Sequence, residues 1–489
     1  MRRRAYRLAV VLALAISACD QPPPPAPLVT PHPAVTVRAA VPVTPPWNAG
    51  DVRALDAQLR DAFAPSALAT SGIAIVDPAG RPLFLRRERA PLAPASTFKL
   101  LVATTALAVL GPNYRFGTTF ESVGEPVGGV VQGPLYLVGG GDPTLTSDDL
   151  RAGVGALVRA GVRTVEDGVV ADASAFAGPE TDPDWESDDL QYPYGAGTSA
   201  LSLDQGTVEF HVTPGVVGGP ATIAVRPPSS AIRIDGGLTT GYATEFSIER
   251  DPLRNDFTFS GRIGVRAEQS VWRPVTDLGR YAGVVALALL HERGIDVAGG
   301  ARTGVAPLAG DVLWRHRSAP LSAIVHDMLF DSNNHFAEQL LRAVGATRGD
   351  GTVENGAALE RVALARDDVP QPGLRIVDGS GLAPDDRVAA LTLATLLARV
   401  AHEPAGAILF ADLPRVGIEG TVQLRQVTDA LGRVRAKSGH IADVNALAGY
   451  VQTRRHGRVS FAIVVNDRRA DAGSVDRGID RALDLLARS

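Results

Sequence analysis

The stretch "STFKLLVATTALAVLG", residues 96–111, is apolar almost all the way round. At helical spacing it has no polar face to give to water. It must be a helix buried on most sides, and Gly111-Pro112 stops it. Yet Lys99 is written into it. The chain has 48 basic residues, of which only Lys99 and Lys437 are lysine. Arginine keeps its proton at working pH, whereas burial can make lysine give its proton up. These two positions are therefore candidates for chemistry that arginine cannot perform.

Ser96 lies three residues before Lys99, which puts both side chains on one helix face, one turn apart. A serine hydroxyl is a weak nucleophile and needs an adjacent base. Ser96 also suits a helix cap, and the tetrapeptide alone is common. The second lysine sits in "RAKSGHI", on an expected strand. Lys437 offers a compact charge, Ser438 a hydroxyl and Gly439 room for a substrate backbone. The plainer reading is an edge-strand lysine that discourages aggregation. A third stretch, "DSNNHFAEQLL", leads into a helix. Ser332 could relay a proton there and Asn334 hold a substrate amide, or the segment could simply cap the helix. His335 and His440 read as packing or substrate contacts rather than as the base of a triad.

The order of the three stretches decides between these readings. S-x-x-K, then S-x-N, then K-[ST]-G is the ordered set of the active-site serine penicillin-recognising enzymes. More narrowly, the chain resembles the D-alanyl-D-alanine carboxypeptidase/endopeptidase family of class C low-molecular-mass penicillin-binding proteins. "LYLVGGGDPTL", "SALSLDQGTVEFHVTPG", "SNNHFAEQLLR", "VDGSGL" and "ALAGYV" carry the likeness from about residue 70 to the C-terminus. Ser96 and Ser332 are 236 residues apart. Compact β-lactamases have nothing that long there, whereas the family carries an inserted domain pair. Ser438 departs from the commoner threonine, and His440 stands where threonine or serine is common.

The resemblance implies an α/β (α+β) penicillin-binding fold. Its core would be an antiparallel five-stranded sheet with helices, carrying a β-rich insertion of one or two smaller domains. It implies peptidoglycan stem peptides ending in D-Ala-D-Ala as substrates and β-lactam antibiotics as covalent ligands. Ser96 would attack the penultimate carbonyl, Lys99 accept its proton and Ser332 relay one. Asn334, Lys437, Ser438 and Gly439 would hold substrate. Backbone N–H groups of Ser96 and His440 would hold the oxyanion. No cofactor is called for, and neither an H-E-x-x-H motif nor a cysteine or histidine cluster offers a metal site. The rivals are a β-lactamase-like hydrolase and a non-catalytic peptidoglycan-binding lipoprotein.

Residues 1–18 read as a signal peptide, with a basic "MRRRAYR" and a short apolar "LAVVLALAI". "ISAC" resembles a bacterial lipobox, which would make Cys19, the single cysteine, a lipidated first residue and the link to a membrane. The expected location is the periplasm or cell envelope. Residues 19–46 then form a proline-rich tether. The expected domains are a first peptidase part at 47–115, inserted β-rich domains at 116–266 and a second peptidase part at 267–489. The formal charge of −5, with no basic run beyond the first residues, does not indicate a nucleic-acid partner.

Overall fold

A computed structural model describes residues 45–489 apart from 65–67, 69 and 468–471. The signal segment, Cys19 and all of the tether but its last two residues lie outside the described residues.

The named elements of the first domain are α1 (Ala49–Ala62), β1 (Gly72–Val76), β2 (Pro82–Arg86), α2 (Lys99–Val109), α3 (Leu321–Phe330), α4 (Asn334–Ala346), α5 (Ala390–Val400), β3 (Val434–Ile441), β4 (Val444–Gln452), β5 (Arg458–Asn466) and α6 (Ala472–Arg488). Their five strands form one sheet in the order β3-β4-β5-β1-β2. Every neighbouring pair is antiparallel. β1 and β5 read as unbroken apolar runs because both faces of the sheet are covered. Successive side chains take opposite faces. Ile73, Ile75, Phe461 and Ile463 meet a layer with Leu55, Leu59, Ile479 and Leu483 of α1 and α6. Ala74, Ala446, Ala448 and Ala462 face the other way, toward α2 to α5. Their small side chains let those helices approach closely.

α2 lies inside this second layer, as its composition requires. Every residue from Lys99 to Leu107 is buried. The helix ends where Gly111 takes a φ of +86°, a conformation glycine adopts without strain. A 3₁₀ turn, Ala95–Phe98, leads into it.

The insertion has its own core, built on Phe120, Leu137, Leu150, Phe210, Phe257, Phe259 and Tyr281. Its strands form a five-stranded sheet, a four-stranded sheet and two three-stranded sheets. The insertion ends later than the expected residue 266. The helix Leu278–Glu292 belongs to its core through Leu278, Tyr281 and Leu290. Strand Asp311–Arg317 pairs with Gly117–Ser122, its Arg317 opposite Gly117. Helical periodicity at 278 correctly gives a helix, but period alone does not say which core that helix covers. The chain leaves and rejoins the first domain at one point. Phe116 N donates to Ser318 Oγ (2.9 Å) and Ser318 N to Phe116 O (3.0 Å). The first domain is thus residues 45–116 and 318–489.

Candidate active site

The structure brings the three separated motifs to one place. Lys99 Nζ lies 2.8 Å from Ser96 Oγ, 2.7 Å from Asn334 Oδ1 and 2.8 Å from the carbonyl oxygen of Ser380. Lys437 Nζ lies 2.8 Å from Ser332 Oγ and 2.7 Å from the carbonyl of Ser438. Both lysines have no exposed surface.

Each piece is aimed by its local backbone. Ala95 has a φ of +46°, a strained conformation for a residue with a Cβ, directly before Ser96. That turn is held from two sides. Asn466, at the end of β5, bonds both the N–H and the carbonyl of Ala93 (2.7 and 3.0 Å). Thr97 Oγ1 donates to Pro94 O (2.7 Å). Neither the 3₁₀ turn nor α2 has a side-chain cap. Ser96 is therefore free of the capping role that its position suggests. At α4 the cap is Asn333, which accepts from Phe336 N at 3.0 Å. Ser332, with a φ of +63°, and Asn334 are left to face the lysines.

On β3 the pleat settles direction. Ala436 packs with the α1 and α6 layer, so Lys437 and Gly439 turn toward α2. A Cβ on Gly439 would lie 2.6 Å from Pro94 O and 3.1 Å from Ser96 N. Only glycine lets the strand pass this close to the serine turn. Ser438 Oγ donates instead to Thr421 Oγ1 (2.7 Å) at the free edge of the sheet. His440 is exposed. His335 is buried, with Nδ1 3.2 Å from Gly197 O, and burial lowers it to about 4. It is a neutral packing residue.

Burial lowers Lys99 to about 7, against the raising pull of the Asp378, Glu338 and Asp386 carboxylates. Lys437 falls well below the ordinary lysine range, through burial and then through the charge of Lys99.

Three acidic side chains near Lys99 are not marked by any motif spacing. Glu338 accepts from Gly379 N (3.0 and 2.9 Å to its two oxygens) and from Ser380 N (2.7 Å). Asp378 accepts from Gly381 N (2.6 Å), Ala383 N (2.7 Å), Trp185 Nε1 (2.8 Å) and Ser380 Oγ (3.3 Å). Asp386 accepts from Val377 N at 2.7 Å. The "VDGSGL" block thus works through main chain, presenting a carbonyl to Lys99. The insertion contributes in the same way. Carbonyls of Tyr194 and Ser199 accept from Asn334 Nδ2 (2.9 Å) and Gln339 Nε2 (3.0 Å). Gln205 Oε1 accepts from Asn333 Nδ2 at 2.7 Å.

A family model described as "D-Ala-D-Ala carboxypeptidase 3 (S13) family" matches residues 53–489. The chain belongs to this family. A D-alanyl-D-alanine carboxypeptidase of an Actinomadura species is 35% identical over 426 residues, covering 83% of this chain and 79% of that protein. A carboxypeptidase DacB of Mycolicibacterium smegmatis is 29% identical and covers 99% of this chain and 95% of that protein. Among solved structures, penicillin binding protein 4 (dacB) from Haemophilus influenzae superposes with a TM-score of 0.77. The alignment covers 88% of this chain and 99% of that one at 21% identity. This S13 chain therefore has the penicillin-binding fold, insertion included.

Proposed function

We propose that this S13 family member is a serine-type D-Ala-D-Ala carboxypeptidase that acts on peptidoglycan stem peptides through an acyl-enzyme on Ser96, and that β-lactams acylate the same serine. The observation that carries this reading is the environment of Lys99. A neutral amine has two N–H donors and one lone pair. Asn334 Oδ1 and Ser380 O lie 2.7 and 2.8 Å from Nζ and accept those two hydrogens. The lone pair is left for the third neighbour, Ser96 Oγ at 2.8 Å. With Lys99 lowered to about 7, much of it is in that neutral form near neutral pH.

Ser96 Oγ attacks the carbonyl carbon of the penultimate D-Ala as its proton passes to Lys99. Backbone N–H groups of Ser96 and His440 hold the oxyanion, a role that leaves the side chain at 440 free to vary. The C–N bond breaks and the leaving amine takes a proton relayed through Ser332. Water then attacks the ester carbonyl, releasing the shortened peptide and restoring Ser96. Lys437 and Ser438 bind the terminal carboxylate of the substrate, and Asn334 its backbone amide.

Intact-mass measurement after brief exposure to benzylpenicillin tests this. A stable adduct on Ser96, absent from Ser96→Ala, is expected, with D-Ala release from a D-Ala-D-Ala peptide lost in the same variant. Rapid turnover of the drug would instead mark a β-lactamase, and no adduct a binding module. The basic and apolar run at 1–18 and the "ISAC" ending at Cys19 support a lipid-anchored location in the envelope. Labelled fatty acid should enter the wild type and not Cys19→Ser; equal labelling of both would remove the anchor.

A further inference from the structure

We infer that Glu338 is a positioning residue for the Lys99 base, holding the Gly379–Ser380 backbone so that the Ser380 carbonyl faces Nζ. The inference rests on Lys99 being the base. A backbone carbonyl has no anchor of its own, so something must fix the peptide that carries it. Glu338 is 3% exposed, and its carboxylate takes the two successive N–H groups before that carbonyl, at 2.7–3.0 Å. The loop cannot slide either. A Cβ on Gly379 would lie 2.8 Å from Ala337 O, and one on Gly381 2.1 Å from Ala95 O. The loop is therefore wedged between α4 and the turn that carries Ser96. One stripe of α4 does both jobs. Asn334 supplies one acceptor to Lys99 directly, and Glu338, one turn on, fixes the other.

Titratable groups face Glu338 from several elements. Asp378 and Asp386 face it from the loop, and Glu360 from helix Val353–Arg366. Arg342 follows one turn along α4, and Lys99 faces it from α2. A cavity of about 340 Å³, lined by Glu338 and Arg342, adds Glu180, Asp182, Asp184, Glu354 and Arg375. Glu360 is the natural comparator. It is equally buried, but neither of its oxygens has a hydrogen-bond partner among the described residues.

Burial raises the Glu338 carboxyl to about 8, so through the acid limb it acts on Lys99 less by charge than by holding the Ser380 carbonyl. Replacing Glu338 loosens that carbonyl, which stabilises the ammonium, and the loss favours the neutral amine. The acid limb of the pH–rate profile should therefore move to lower pH. The high-pH plateau should fall, because the lone pair is no longer confined to Ser96.

The test is the acylation rate by a fluorescent penicillin from pH 5 to 9, on the full chain, with thermal melts alongside. Glu338→Gln should lower the plateau at least about tenfold and shift the limb down. Glu360→Gln should leave the limb in place. Glu338→Asp keeps a carboxyl but withdraws it by one methylene, and it covers the case in which Glu338→Gln does not fold. It should lower the plateau and move the limb in the same direction. If Glu338→Gln and Glu338→Asp keep the wild-type plateau and limb, or Glu360→Gln shifts the limb equally, Glu338 has no positioning role. A wild-type rate without an acid limb would instead overturn the base assignment itself.

Discussion

The two lysines of this chain are equally buried, Lys99 beside Ser96 and Lys437 beside Ser332, yet their surroundings differ. Lys99 has carboxylates within electrostatic reach and three oxygen neighbours arranged around its nitrogen. Among the described residues no carboxylate enters the shift of Lys437, which burial and then the charge of Lys99 set. The first environment holds a lysine near its midpoint at neutral pH, which suits a group that must take a proton and return it. The second leaves a lysine short of a counter-ion, a place that the substrate's carboxylate can fill. What separates a base from a receptor here is where the nearby acid comes from: the protein in one case, the ligand in the other.

Changing each lysine to arginine breaks the comparison most directly. Arginine cannot serve as the proton acceptor at working pH. Lys99→Arg should therefore acylate at least about a hundredfold more slowly, the low end for loss of a general base. Lys437→Arg keeps a positive charge that can pair with carboxylate. It also forces a larger group into a fully buried slot, which costs about 1–3 kcal/mol, so a loss of about tenfold is expected. Stopped-flow acylation by one fluorescent penicillin, after circular dichroism has confirmed folding, measures both. Equal rates for the two variants would erase the distinction.

Much of this pair was legible in the sequence, because scarcity and spacing both mark side chains. Lys99 next to Ser96, and Lys437 next to Gly439, follow from residue type and motif order. The buried helix follows from its apolar run, the separate strands from apolar runs and turns, and the five-stranded sheet from the family resemblance. The acceptors that complete Lys99 were not legible in the same way. Ser380 acts through its carbonyl, 281 residues from its partner, and any residue can supply a carbonyl. Glu338 lies inside a helix whose pattern reads as amphipathic, and its role appears only once the 378–381 loop is placed over it. The carbonyls of Tyr194 and Ser199 are silent for the same reason. The late end of the insertion escaped because Leu278–Glu292 is a good helix for either domain.

The smallest expected effect tests the receptor half of the comparison. The pKa of free Lys437 lies well below the ordinary lysine value. A bound carboxylate stabilises the ammonium, so binding should take up a proton at this site. That new charge acts back on Lys99, because the repulsion between the two lysines is mutual, and favours the neutral base. Substrate would thus help to activate the enzyme by charging one lysine and discharging the other. Because Lys99 releases part of what Lys437 takes up, net uptake should be less than one proton. By linkage, KM for a D-Ala-D-Ala peptide should then rise with pH by less than about tenfold per unit once pH passes the lowered pKa of free Lys437. Lys437→Arg is charged before substrate arrives, so this slope should flatten while the acid limb assigned to Lys99 persists. Titration calorimetry in buffers of different ionisation enthalpy counts the proton directly. If binding takes up no proton, or Lys437→Arg keeps the wild-type slope, Lys437 is not the group that meets the carboxylate.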